Sequence, residues 1–197
     1  LLVEHPELAQ VLRVDHPVLL PGEMTALRKV TGFPCVTLGT LWPVAEGAPG
    51  LERALTRLAE EAEQAARTGT RVLVLSDRGA GPDLAPIPML LALGAVRRHL
   101  MDQGLRMRLG LVAETGDAWD IHHFAALIGY GCEAVYPWLA LESVGAIFAD
   151  LEGPSPATLG RARERARRQE SGERPTPAEA RERFRMAAEK GLLKIMA

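Results

Sequence analysis

Four short apolar segments, each followed by a helical pattern, constrain the fold of this chain most strongly. One of them, RVLVLSD at 71–77, is too short for a helix and lacks polar alternation, which is typical of a strand buried on both faces. The predicted strands are 35–39, 71–77, 107–114 and 133–137, and the predicted helices that follow them are 50–69, 88–104, 116–131 and 138–150. This alternation predicts an α/β fold of parallel βα units with right-handed crossovers. Four units make either half of an eight-fold barrel or a small open doubly wound sheet, and the pattern alone does not choose between them.

The regions on either side of these units differ in character. Residues 1–34 contain several prolines and predict mostly loop, with one short helix near 21–30. After residue 150 the chain becomes rich in Arg and Glu and is broken by prolines, which predicts two largely solvated helices, 156–170 and 177–193. We therefore expect an α/β domain over 1–150 and a helical C-terminal segment over 151–197. Because the chain opens on Leu and its last helical pattern runs to the final residue, we expect either a piece of a longer polypeptide or a chain with trimmed ends.

Composition argues against several classes of function. The net charge of −2 gives no general attraction to nucleic acid or to an anionic membrane. No apolar run reaches the roughly 18 residues of a membrane-spanning helix, and the opening residues lack the basic region of a signal peptide. Cys35 and Cys132 are far apart and lack metal-ligand spacing, so we expect two free thiols. These features predict a cytoplasmic protein with neither a membrane nor a nucleic-acid partner.

Polar residues follow two of the predicted strands. Ser76, Asp77 and Arg78 come at the end of one strand, and Glu114 ends the next. Because the carboxyl ends of parallel strands form the working edge of such folds, these four residues are candidates for a site that binds a phosphate or another small anion. The loop after Arg78 matches neither a Walker A motif nor G-x-G-x-x-G. The simpler interpretation is that Asp77 and Arg78 pair or cap to fix the loop.

The stretch ETGDAWDIHH carries two adjacent histidines, His122 and His123. Neighbouring residues on a helix point about 100° apart, so the two do not readily bind one metal ion. One histidine together with Glu114 remains a possible metal pair, and Glu114 a possible general base. We favour a structural interpretation in which Asp117 caps the helix, one histidine fills a polar edge of the core and the other faces outward.

Three tryptophans also follow predicted strand ends. Trp42, Trp119 and Trp138 would gather on one rim of the sheet. An apolar rim can line a ligand pocket, but no convergent polar set accompanies it here. We therefore expect a contact surface for another domain.

Much of the chain resembles a known family. The motifs that carry the resemblance are LSDR (75–78), IPMLLALGAV (87–96), LVAETGDAWDIHHFAALIGYG (111–131), AVYPWLALES (134–143), GLERALTRLAEEAEQA (50–65) and EKGLLKIMA (189–197). Together they resemble the central domain of the glutamate synthase large subunit. The run with ETG, HHFA and GYG is the specific part, and the others support it.

The resemblance implies a rudimentary, partial TIM-barrel-like domain with C-terminal helices that binds no cofactor itself. In that family, an amidotransferase domain and an FMN-binding synthase domain with an iron–sulfur cluster make glutamate from glutamine and 2-oxoglutarate. The central domain lies between them and helps to form the ammonia passage. The resemblance therefore implies a non-catalytic scaffold without catalytic, cofactor or metal residues in this chain. The rim or interface residues are then Trp42, Ser76, Asp77, Arg78, Glu114, Trp119, His122, His123 and Trp138.

Overall fold

The structure, a computed structural model, describes residues 11–149 and 175–197. Within these two ranges the chain forms six α-helices and six strands. The helices are α1 (Pro21–Leu27), α2 (Gly47–Arg67), α3 (Met89–Asp102), α4 (Ile121–Gly129), α5 (Trp138–Ala149) and α6 (Pro177–Met196). The strands are β1 (Cys35–Gly39), β2 (Leu41–Pro43), β3 (Val72–Ser76), β4 (Leu84–Pro86), β5 (Gly110–Glu114) and β6 (Ala134–Tyr136).

The main sheet has the order β1-β3-β5-β6, and all its strands are parallel. Helices α2, α3 and α4 connect successive strands, so the predicted parallel βα arrangement is confirmed. Val18 extends the sheet by a parallel bridge to Val135. The Leu19 amide donates to the Val135 carbonyl, and the Val135 amide donates to the Pro17 carbonyl, each at 2.8 Å. The strands of this sheet follow one another in chain order, as in a βα barrel, but within the described ranges the sheet does not close on itself. The fold is therefore a partial α/β-barrel-like domain.

The two faces of the sheet are covered by different helices. Leu73 and Leu75 of β3 belong to the core formed with α2, α3 and α4. Val72 and Val74, which alternate with them, belong to a second core that includes Met24 of α1. Every residue of β3 is buried, as the unbroken apolar run predicted, because a strand covered on both faces has no polar side.

A second, small sheet was not predicted. Strand β2 pairs antiparallel with β4, and β4 lies in the segment after Arg78 that was predicted to be a loop. Each strand has only three residues and each contains a proline, so neither shows an alternating pattern. The predicted strand 107–114 is also shorter than expected, because residues 106–108 form a 3-10 turn before Gly110.

The helix predicted over 177–193 is confirmed as α6, but the expectation that it would be largely solvated is wrong, because one of its faces packs into the domain. It lies against α4 and α5, and the rings of Phe124 and Phe184 meet edge to face with centroids 6.2 Å apart. Gly191 lies under the side chain of Ile121. The buried face of α6 consists mainly of small residues separated by Arg and Glu, so the sequence of this helix shows only a weak apolar pattern. The other predicted helix, 156–170, lies outside the described residues.

The two thiols are free and differ in their surroundings. Cys132 is buried, and its thiol donates to the Ala134 carbonyl at 2.7 Å. Burial raises the pKa of Cys132 to about 12. Cys35 is half-buried, and burial, partly offset by Arg28, raises its pKa as well. None of the described helices is both long and apolar enough to span a bilayer.

We expect a thiol reagent at about pH 8 to modify Cys35 before Cys132, because only the thiolate reacts and the Cys132 thiolate is scarce at that pH. Ellman's reagent should titrate one thiol per native chain and two after unfolding. A Cys35→Ala chain that still reacts quickly in the native state would contradict this expectation.

Candidate functional site

The carboxyl ends of β3 and β5 carry a network of paired charges. Glu114 is 1% exposed, and each of its carboxylate oxygens accepts a hydrogen bond from an arginine. Arg28 donates to Oε2 at 2.7 Å, and Arg78 donates through Nε to Oε1 at 3.0 Å. Arg28 lies just after α1, which brings the amino-terminal part of the chain to this edge. The positive charges of the two arginines balance the negative charge of this buried carboxylate.

Arg78 contacts two carboxylates and two aromatic rings. Its Nη2 donates to Glu142 at 3.2 Å, and its guanidinium lies 4.5 Å from the ring centroid of Trp138 and 5.8 Å from that of Tyr136. Burial alone would lower the pKa of Arg78, but its hydrogen bonds to Glu114 and Glu142 outweigh that effect and raise the pKa. With two carboxylates already beside it, Arg78 is poorly placed to bind an external anion. This arrangement favours a structural role over the anion site that the sequence suggested.

Asp77 is a buried acceptor for three neighbouring groups. It accepts from Thr115 Oγ1 at 2.7 Å, from the Gly116 amide at 2.8 Å and from Trp138 Nε1 at 2.7 Å. Ser76, the fourth candidate at this edge, accepts from the Arg78 amide at 3.3 Å. The loops after β3 and β5 and the start of α5 are therefore joined through one carboxylate.

Helix α4 begins later than predicted, and its cap is Asp120 instead of Asp117. The Asp120 carboxylate accepts from the amides of His122 and His123, at 2.8 and 3.1 Å. Mainly through the His123 amide, these bonds hold the pKa of Asp120 below its usual value. Asp117 instead accepts from the amide of Met89 at the start of α3, at 3.2 Å. Residues 117 and 120 are both suitable caps in sequence, and only the fold assigns each to its helix.

Both histidines are exposed, so neither fills an edge of the core as predicted. His123 Nδ1 accepts from the Trp119 amide at 3.1 Å. This hydrogen bond joins the first turn of α4 to the loop that precedes it. Across the described residues, no group of three His, Cys, Asp or Glu side chains is arranged to hold a metal ion.

We expect Asp120→Ala to lower the melting temperature by about 2–4 °C, the typical cost of losing a helix cap in a chain of this size. The pKa of Asp120 is lower in the folded than in the unfolded state. The stabilisation is therefore complete above the unfolded value, about 3.9, and is lost as the pH falls through the folded value. Thermal melts at neutral and acidic pH measure the change, and His122→Ala serves as the exposed control. A difference that stays constant down to pH 2 would contradict the capping role.

The three tryptophans have different surroundings. Trp42 lies in β2 and packs against the first core near Gly50. Trp138 stacks on Arg78 and donates to Asp77, as described above. Trp119 is 47% exposed and borders a shallow cavity that also involves Phe124 and Phe184. Trp119 is therefore the member of the set best placed to meet another protein surface.

Fold and site together define a partial α/β-barrel domain whose strand-end charges are bound to one another. The family model described as "Glutamate synthase central domain" matches residues 1–197. The chain belongs to this family, and the resemblance seen in its motifs is confirmed.

Related proteins are much longer than this chain. A ferredoxin-dependent glutamate synthase from Pyropia yezoensis is 34% identical over 202 residues, which cover 100% of this chain and 12% of the relative. Ferredoxin-dependent glutamate synthase 1 from Arabidopsis thaliana is 43% identical over 141 residues, or 70% of this chain and 9% of the relative. The NADPH glutamate synthase large chain from Azospirillum brasilense is 36% identical over 144 residues, or 73% of this chain and 10% of the relative. The chain thus spans about a tenth of the length of these relatives.

Proposed function

We propose that this chain is a non-catalytic scaffold domain of a glutamate synthase. It links the glutamine amidotransferase and FMN-binding synthase domains and helps to form the ammonia passage during glutamate biosynthesis from glutamine and 2-oxoglutarate. FMN and an iron–sulfur cluster belong to the synthase domain. The free thiols of Cys35 and Cys132 suit a reducing compartment, and we propose the cytoplasm.

One observation carries this proposal: the carboxylates at the strand ends already accept hydrogen bonds from other groups of the same chain. A catalytic carboxylate at this edge would need an oxygen that can form a hydrogen bond with a substrate. Glu114 instead has an arginine on each oxygen, and Asp77 holds three donors from its own chain. These contacts fix the loops after β3 and β5 in position, which is what a supporting domain requires.

Exposed apolar side chains at the loop after β5 support a role in domain contact. Trp119 is about half exposed, and Leu139 in the first turn of α5 is also exposed next to Gly116. Large exposed apolar side chains are suited to burial under another domain.

The test uses a complete glutamate synthase that carries this domain. We expect Trp119→Asp to reduce glutamine-dependent glutamate formation while ammonia-dependent formation continues, because a disturbed contact would let ammonia escape between the sites. Leu91→Asp is the matched control, since Leu91 is a similarly exposed apolar residue on α3 and should leave both activities unchanged. Equal loss of both activities with Trp119→Asp would count against the passage.

The isolated chain offers a second test. It should show no flavin absorbance in the visible range and should release no glutamate from glutamine. Glutamate formation by this chain without its partner domains would refute the proposal.

A further inference from the structure

A groove of about 470 Å³ lies at the amino-terminal ends of the strands, opposite the paired-charge network. Val72, Gly110 and Ala134, which begin β3, β5 and β6, all line it. Its remaining apolar lining includes Leu12, Leu27, Phe33 and Val112. A groove of this size is within the usual range for small-molecule sites, which are mostly apolar with a few polar groups.

Arginines dominate the polar part of the groove. Arg71, Arg97, Arg106 and Arg108 line it, and among the described residues of the lining Glu133 is the only acidic one. Glu133 is already satisfied, because Oε1 accepts from Arg106 at 2.7 Å and Oε2 accepts from the Leu111 amide at 2.5 Å. Its negative charge is therefore matched by Arg106.

Two of these arginines converge on one glycine. A Cβ on Gly131 would lie 2.7 Å from Cδ and 2.8 Å from Nε of Arg97, and 3.7 Å from Nη2 of Arg106. Arg106 also donates to the Gly131 carbonyl at 2.6 Å. Gly131, with a φ of 97°, leaves room for two positive side chains to lie close together.

Two of the groove's arginines, Arg97 and Arg108, have no ion pair within the part of the chain that the structure describes. The neighbouring Arg98, in contrast, pairs with Asp102 at 2.9 Å. Like charges placed beside an apolar surface repel each other, and this repulsion is relieved when an anion binds between them.

We propose that the groove binds an amphipathic anion, with its apolar body against Leu12, Leu27 and Phe33 and its carboxylate or phosphate group at the arginines of the lining, where Arg97 and Arg108 have no ion pair within the described residues. Guanidinium groups bind both oxyanions through charge-assisted hydrogen bonds, so the shared chemistry is an oxyanion on an apolar chain. This site is separate from the strand-end network and does not depend on the proposed scaffold function.

Calorimetric titration of the 197-residue chain with dodecanoate and with dodecyl phosphate tests the proposal and separates the two head groups. We expect at least one of them to bind, and the Arg97→Ala and Arg108→Ala substitutions to weaken binding about tenfold each, the usual effect of one charge-assisted contact. Dodecanol, which has the same chain without the charge, should bind far more weakly.

Arg98→Ala is the matched control, because Arg98 neighbours Arg97 on α3, is exposed and does not line the groove. It should bind both probes as the unchanged chain does. The proposal is overturned if neither probe binds, if dodecanol binds as tightly as dodecanoate, or if Arg97→Ala and Arg98→Ala have the same effect.

Discussion

Replacing Glu114 with Gln should lower the free energy of unfolding by about 2–3 kcal/mol, one of the two largest effects expected for a single change at the strand-end network. The substitution keeps the shape of the side chain but removes the negative charge that Arg28 and Arg78 share. Because both arginines are about 40% exposed and can partly turn to water, the expected loss is smaller than for a fully buried pair. Urea unfolding followed by circular dichroism measures the difference.

Glu142→Gln is the matched control for this change. Glu142 also pairs with Arg78, at 3.2 Å, but its side chain is 53% exposed. Exposed pairs contribute little, so we expect a change below about 0.5 kcal/mol. If Glu114→Gln and Glu142→Gln had equal effects, burial of the Glu114 carboxylate would not be what stabilises this edge.

Asp77→Ala should have an effect of similar size, about 3 kcal/mol. It leaves the Thr115 hydroxyl, the Gly116 amide and the Trp138 indole without their acceptor, and all three groups lie at the same buried edge. The loss should appear as a lower midpoint of urea unfolding, together with a change in tryptophan fluorescence as the Trp138 ring leaves its contact.

Asp83→Ala provides the comparison for Asp77, because Asp83 lies in the following loop with its side chain exposed. We expect this substitution to change stability by less than about 0.5 kcal/mol. An Asp77→Ala chain as stable as the Asp83→Ala chain would show that the three hydrogen bonds are replaced by water at no cost.

The order of strands and helices was predictable because it depends on local apolar patterns. The run at 71–77 could only be a short strand with both faces covered, and β3 is such a strand. The strand-end position of Asp77, Arg78 and Glu114 followed from the same pattern, since parallel strands bring their carboxyl ends together.

The partners of those residues could not be predicted from spacing. Arg28 is 86 residues before Glu114, near the end of the short helix predicted at 21–30, and only the packing of α1 on the sheet brings it close. Glu142 is 64 residues after Arg78 and lies on a helix with no distinctive charge pattern. Local sequence therefore identified one member of each ion pair, Glu114 and Arg78, whereas the tertiary fold determined its partner.

Helix α6 shows why composition can mislead. Its arginines and glutamates predicted solvation, yet Arg185 is itself buried between Glu23 and Glu182. A charged residue can be buried when carboxylates from two elements surround it, and no single-segment pattern reveals that arrangement.

The parallel bridge between Val18 and Val135 has a consequence for assembly. Exposed sheet edges invite pairing with strands of other molecules, and proteins commonly protect them. Along β6 the backbone groups of Val135 are already satisfied by Pro17 and Leu19. On that side, a neighbouring molecule cannot enlarge the sheet by strand addition without first displacing this segment, so the chain carries its own protection against intermolecular β-pairing there.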